Sequence, residues 1–241
     1  MKRFSNWRFR FPFFLFSIFS LSAVSQQMDS RASAIADSVI MTAGGKQNWD
    51  NTHYLHWNYF GRRILWWDKW SGDVRIEVPA KKLLMLSNIN TRIGKAFRNG
   101  VEITQTDSMA YFNDRAYKIL INDSYWLVAP FKLKDPGVNL SYLGTAKDSA
   151  NNDCYLLQLT FNNVGVTPEN KYHIWVNRKT YLMSQWAFYE KFSDDTAAIV
   201  NPWLDYERYG NILLSGDRGK YEGEITDISV ADIPKDVFRR P

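Results

Sequence analysis

Apolar positions near the start of the chain recur three or four residues apart, at Ala32, Ile35, Ala36, Val39 and Ala43. That spacing predicts a helix capped by Asp29 or Ser30 and ended by Gly44-Gly45. From residue 54 the period falls to two. Tyr54–Phe60, Arg63–Trp70, Asp73–Val78 and Leu83–Ile89, divided by Gly61, Ser71-Gly72 and Pro79, read as antiparallel strands joined by short turns.

Helical spacing returns at Met109, Phe112, Ala116, Ile119 and Leu120, so a second helix is expected to start at Thr106 or Asp107 and close at Asn122-Asp123. Strands follow at Leu140–Thr145, Cys154–Phe161, Tyr172–Val176, Leu182–Tyr189, Tyr206–Leu214 and Glu222–Val230, separated by Asn, Asp, Gly and Pro turn signals. Lys191–Trp203 is the longest irregular piece. The pattern implies an α+β, mainly β fold, with a strongly curved antiparallel sheet and the helices packed on its concave face, because a large flat sheet is unusual.

The densest aromatic stretch is Arg62-Arg63-Ile64-Leu65-Trp66-Trp67-Asp68-Lys69-Trp70-Ser71-Gly72-Asp73. A two-residue loop at Ser71-Gly72 places Trp67 opposite Ile76, Leu65 opposite Val78 and Asp68 opposite Arg75. Opposed residues share a face, so Leu65, Trp67, Val74, Ile76 and Val78 form one apolar side. A two-residue loop at Gly61-Arg62 pairs Trp57 with Trp66, Tyr59 with Ile64 and Leu55 with Asp68. Leu55, Trp57, Tyr59, Ile64, Trp66 and Trp70 then gather on the other side. A turn longer by one residue would flip this assignment.

A sheet apolar on both faces demands cover on both, since each aromatic side chain buries about 150–250 Å² and a monomer's largest apolar patch reaches roughly 300–600 Å². Three readings follow. The interior is simply packed and the protein is a scaffold. Alternatively, Trp57, Tyr59, Ile64, Trp66 and Trp70 line a cavity for an apolar or amphiphilic ligand. Or Trp66 and Trp70, flanked by Asp68, Asp73, Arg75 and Glu77, form a carbohydrate-stacking platform in a carbohydrate-binding or carbohydrate-processing envelope protein.

The first residues carry a different signal. Lys2, Arg3, Arg8 and Arg10 precede an apolar run from Phe11 to Val24, the order of a secretory signal peptide, with cleavage expected after Ser25 at Ala23-Val24-Ser25. Val24 stands where a lipoprotein signal would have its lipidated cysteine, so a soluble exported protein is expected. Residues 26–241 then form a single domain, long and apolar enough for a full core at 45% hydrophobic and 16% aromatic content. The 30 Lys and Arg against 25 Asp and Glu fall to 26 against 25 without the signal, which removes the main support for nucleic-acid binding. Cys154 is the single cysteine, so no intramolecular disulfide forms, and a buried thiol is the expected state.

Catalytic signatures are missing from the sequence. His53 and His56 point to opposite faces of a strand, and neither joins His173 at a zinc-ligand spacing. There is no Gly-rich phosphate loop, no nucleophile elbow and no Cys/His pairing at a recognisable spacing. The expectation is a non-enzyme without a cofactor or metal.

The exported start, the first helix, the hairpin meander and the second helix, followed by Tyr125-Trp126-Leu127-Val128-Ala129-Pro130-Phe131 and by Lys171-Tyr172-His173-Ile174-Trp175-Val176 running into Asn177-Arg178-Lys179-Thr180, resemble the LolA-like outer-membrane lipoprotein-sorting superfamily. The chain looks closest to an uncharacterised exported branch of it. The resemblance implies a half-barrel whose concave apolar face, lidded by helices, receives acyl chains. It therefore implies a periplasmic, non-catalytic protein binding a lipid, an acyl chain or a lipoprotein segment, with an envelope protein as candidate partner. No site residue carries over from the superfamily, and the oligomeric state is left open.

Overall fold

The structure, a computed structural model, describes residues 29–162, 165–220 and 223–241. The signal peptide assigned to residues 1–25 lies outside them. The elements in chain order are α1 (Ser30–Thr42), α2 (Lys46–Asn51), β1 (Tyr54–Tyr59), β2 (Arg63–Asp68), β3 (Asp73–Val78), β4 (Leu83–Asn88), β5 (Ile93–Arg98), β6 (Val101–Ile103), α3 (Thr106–Lys132), β7 (Val138–Lys147), β8 (Asp153–Phe161), β9 (Lys171–Asn177), β10 (Met183–Tyr189), β11 (Ile199–Pro202), β12 (Leu204–Tyr209), β13 (Ile212–Asp217) and β14 (Ile225–Ser229).

The fold is α+β and mainly β, with antiparallel sheets and few helices. Instead of one strongly curved sheet there are several open ones: seven strands in the order β14-β1-β2-β3-β4-β5-β6, five in the order β11-β10-β9-β8-β7, and the pair β12-β13. None closes on itself. The interior is formed between the two large sheets, with α3 in contact with both.

Asp29 is the cap of α1. Its Oδ1 accepts the N–H groups of Arg31 at 2.9 Å and Ala32 at 3.2 Å, as a cap should. Its Oδ2 accepts the Tyr142 N–H of β7 at 2.8 Å, tying the helix start to the five-stranded sheet, and these bonds, Tyr142's first, hold the carboxyl below its usual range. At the other end, Gly44 has φ of 125°, and a Cβ there would lie 2.5 Å from the Asn211 carbonyl. Only glycine lets α1 end so close to the β12–β13 turn.

The register of the first sheet decides where its tryptophans point. β1 and β2 are joined by three residues, Phe60-Gly61-Arg62, so Tyr59 faces Arg63, Trp57 faces Leu65 and Leu55 faces Trp67. This is one residue off the predicted pairing, and it moves Leu55, Trp57 and Tyr59 to the other face. Phe60 and Gly61 both take positive φ, 51° and 67°, and that geometry makes the longer turn.

Between β2 and β3 the register is off by two, with Leu65 opposite Ile76 and Trp66 opposite Arg75. A shift of two preserves parity. Leu65, Trp67, Val74, Ile76 and Val78 do share a face, and Leu55, Trp57 and Tyr59 join them in the core. The sheet thus has one strongly apolar inner face. Its outer face carries His56, Trp66, Arg75 and Glu77, and the C-terminal segment docks there, with Arg75 Nη1 donating to the carbonyls of Val237 at 3.1 Å and Arg240 at 2.6 Å.

The largest departure from expectation is α3, which does not stop at Asn122-Asp123 but continues to Lys132, a length of 27 residues. From Asp123 to Phe131 all but Tyr125 are buried. A helix apolar on all sides is an interior helix. Asp123 is accommodated because Arg63 of β2 pairs with it bidentately, Nε to Oδ2 at 2.6 Å and Nη2 to Oδ1 at 2.8 Å. Burial, outweighing Arg63, still pushes the Asp123 carboxyl up from its ordinary value.

The face assignment can be checked by stability. Trp57→Ala should lower the unfolding free energy by about 3–5 kcal/mol as a core truncation, whereas Trp70→Ala, at a 62% exposed residue, should change it by about 0.5 kcal/mol or less. Urea denaturation of the two variants measures the difference.

Candidate functional site

The five residues predicted to line a cavity fall into three environments. Trp57 and Tyr59 are buried in the core at 0% and 5% exposure. Ile64 and Trp66 lie on the outer face, where Trp66 stacks on His56 at 4.4 Å between ring centroids and is overlain by Arg75 at 5.5 Å. Trp70 is in the β2–β3 turn, stacked on His53 at 3.8 Å, its Nε1 donating to the Asp50 carbonyl at 3.1 Å. The one-residue shift at Gly61 and the opposite parity of Trp66 are why they do not gather. Trp66 and Trp70 form no shared platform.

A different cavity is present, of about 220 Å³, between α3 and the five-stranded sheet. Helix α3 contributes Tyr117, Ile121, Tyr125 and Trp126; β8 to β10 contribute Phe161, Tyr172 and Trp186. The strand residues share a face by register, since Leu159 opposes Tyr172, and Ile174, next on that face of β9, opposes Trp186. Tyr172 stacks on Trp186 at 5.2 Å and an interplanar angle of 8°, while Trp126 meets Trp186 edge-on at 4.6 Å and 83°. Phe161 stands at 90° to Tyr172 and at 76° to Tyr125.

Proline at position 130 is what makes the helical wall of this cavity depend on the rest of the protein. Pro130 has no N–H, so the carbonyl of Trp126, four residues earlier, has no donor within the helix. Arg218, between β13 and β14, supplies it: Nη2 donates to the Trp126 carbonyl. The same guanidinium donates to Ser215 Oγ at 2.8 Å, to the Ser215 carbonyl at 3.0 Å and to the Asp217 carbonyl at 2.7 Å. It lies over Trp203 at 3.5 Å. Arg218 is fully buried, and among the described residues no carboxylate pairs with it. Burial pulls its guanidinium down to about 9, which still leaves it charged at neutral pH.

The polar groups at the cavity are few. Lys132, in the last turn of α3, pairs with Asp135 at 3.1 Å. Tyr125 and Tyr172 are both pushed above the usual phenol range by burial, so both remain neutral hydroxyls. Trp186 Nε1 has no acceptor among the described residues. Elsewhere the histidines are engaged: His53 with Asp68, His56 with the Leu65 carbonyl, and His173 with Gln158 and Tyr189. Cys154 is buried and its thiol is pushed up chiefly by that burial, as expected of a structural cysteine.

Sequence reasoning missed this cavity, although it placed strands at Cys154–Phe161, Tyr172–Val176 and Leu182–Tyr189, which carry Phe161, Tyr172 and Trp186. What could have flagged it is the run Tyr125–Phe131, apolar without helical periodicity, which reads as a fully buried helix once its length is appreciated.

Comparisons with known proteins give no activity. A sequence-family model described as a family of unknown function (DUF6503) matches residues 98–199. That span includes all of α3 and β7 to β10, and so every residue lining the cavity. No curated protein matches the chain. Among solved structures, a DUF1329 family protein from Desulfovibrio piger is similar with a TM-score of 0.45 and 15% identity, over 86% of this chain and 96% of that one. The family model overturns the resemblance to the LolA-like superfamily: the one that fits residues 98–199 is a different family, of unknown function. Among the described residues no helix is long and apolar enough to cross a membrane.

The Arg218 clamp yields a double-mutant expectation. Arg218→Met should cost about 1–3 kcal/mol by leaving a buried carbonyl without a donor. In a Pro130→Ala background the helix supplies its own N–H, and the cost of Arg218→Met should fall by about 1 kcal/mol or more. Urea unfolding of the two single variants and the double variant gives the coupling.

Proposed function

We propose that this chain is a non-catalytic, exported binding protein that holds an acyl chain, from a lipid or a lipoprotein segment, in the cavity between α3 and the five-stranded sheet. The observation that carries this reading is the cavity's wall, in which aromatic and aliphatic side chains outnumber polar ones. At about 220 Å³ it is smaller than the roughly 300–1,000 Å³ that drug-sized ligands occupy. It suits a short stretch of alkyl chain or a single ring, as a dry cavity of about 150 Å³ takes benzene. Each methylene buried contributes about 0.8 kcal/mol.

Export is part of the proposal and rests on the charge-then-apolar order of residues 2–24. A donor or acceptor in the cell envelope would then be the partner. Ligand entry requires no covalent chemistry, and the polar side chains of the lining are three phenols, Asn122, Thr167 and the Lys132–Asp135 ion pair.

Protein purified gently from its native envelope should carry lipid by native mass spectrometry, and fatty acid added to stripped protein should change tryptophan fluorescence saturably, because Trp126 and Trp186 line the site. Ile121→Trp should fill the cavity and remove that response while leaving the fold intact by circular dichroism. Lipid-free native preparations and an unchanged fluorescence would sink the proposal.

A further inference from the structure

The ion pair at the cavity is asymmetric, and the asymmetry bears on the ligand's headgroup. The Lys132 side chain is 16% exposed and that of Asp135 is 43% exposed. An arriving carboxylate can take Asp135's place on Lys132, and the displaced Asp135 carboxylate turns to water at little cost. An arriving cation would have to take Asp135 and leave the less exposed ammonium of Lys132 without a partner, which is expensive. The other polar side chains of the lining, Tyr117, Asn122, Tyr125, Thr167 and Tyr172, are uncharged and set no preference of their own against an anion. Trp186 Nε1 is a buried donor with no acceptor among the described residues. Tyr125 and Tyr172 are held neutral by burial and so keep O–H groups to donate. Among the described residues Asp135 is the one acid lining the cavity, and it is already paired. Asp123, next to the lining residue Asn122, is neutralised by Arg63.

We propose that the cavity selects an anionic amphiphile, a carboxylate on a short apolar chain, with the chain among the aromatic rings and the carboxylate on Lys132 in place of Asp135. This rests on the reading of the cavity as an acyl-chain site and adds the headgroup class. Lys132 binds the headgroup by a charge-assisted hydrogen bond, the stronger kind. Asp135 competes with the ligand for the same ammonium, so it sets the affinity from the other side.

Isothermal titration with octanoate, octanol and octylammonium tests this on the whole protein. Octanoate should bind roughly tenfold tighter than octanol. Lys132→Gln should remove that advantage and leave octanol unchanged, while Asp135→Asn should tighten octanoate several-fold. Both variants are at the rim, and thermal melts monitored by circular dichroism establish that they fold. Equal binding of octanoate and octanol, both indifferent to Lys132→Gln, would overturn the headgroup assignment and leave the acyl-chain site standing. Preferential binding of octylammonium that is lost in Asp135→Asn would overturn it in the opposite sense. If none of the three binds, the acyl-chain site itself fails, and the headgroup assignment with it.

Discussion

The hydrogen bond from Arg218 to the carbonyl of Trp126 is the contact on which the interior depends. A proline inside a helix leaves a carbonyl without its donor and ordinarily bends or ends the helix. Here the helix has to continue, because Trp126 to Phe131 carry a large share of the apolar surface that both sheets need. The guanidinium meets that need with several donors in one plane. It serves Trp126 and Ser215 together and lays its face on Trp203. A buried cation is costly, and among the described residues carbonyl and hydroxyl oxygens and an aromatic face surround this one.

A second polar contact holds the same helix one turn earlier. Arg63, on the seven-stranded sheet, reaches the buried carboxylate of Asp123 with a two-point geometry that fixes both the rotation and the height of α3. Arg218 comes from the connection after β13. Together the two arginines hold the C-terminal half of α3 between sheets that would otherwise offer it only non-directional apolar contact. With the helix fixed, Tyr125 is set against Tyr172 and Trp126 edge-on against Trp186 at the cavity.

These two contacts also explain what could and could not be read from the chain. Most strand positions and the α1 cap were legible because they depend on local signals, namely period-two alternation, turn residues and an Asp before an apolar helix; β5, β6 and β11 fell where no strand was expected, and Tyr206–Leu214, expected as one strand, turns at Gly210-Asn211 into the β12–β13 hairpin. The β2–β3 face assignment survived a register error of two residues, since parity is unchanged. The β1–β2 assignment failed on a single residue, because Phe60 adopts a positive φ that nothing in its chemistry announces. Helix α3 was cut short at Asn122-Asp123 for a related reason. A polar pair reads as a stop unless its partner is known, and Arg63 lies 60 residues away in sequence. The cavity was missed because much of its wall comes from that unseen half of α3 and from the second sheet.

Trp126 belongs both to the clamp and to the cavity wall, so stability and binding share a residue. Its carbonyl is held by Arg218, and its ring forms one side of the aromatic box. Changes at Trp126, Pro130 or Arg218 therefore act on the fold and on the site together, and a loss of binding there does not separate the two. Lys132 and Asp135 lie beyond Pro130 at the end of the helix, outside the clamp and partly in water. The rim is where ligand preference can vary without disturbing the interior. A ligand bound only to the folded form also stabilises it by mass action, and it does so through the same helix that the two arginines already hold.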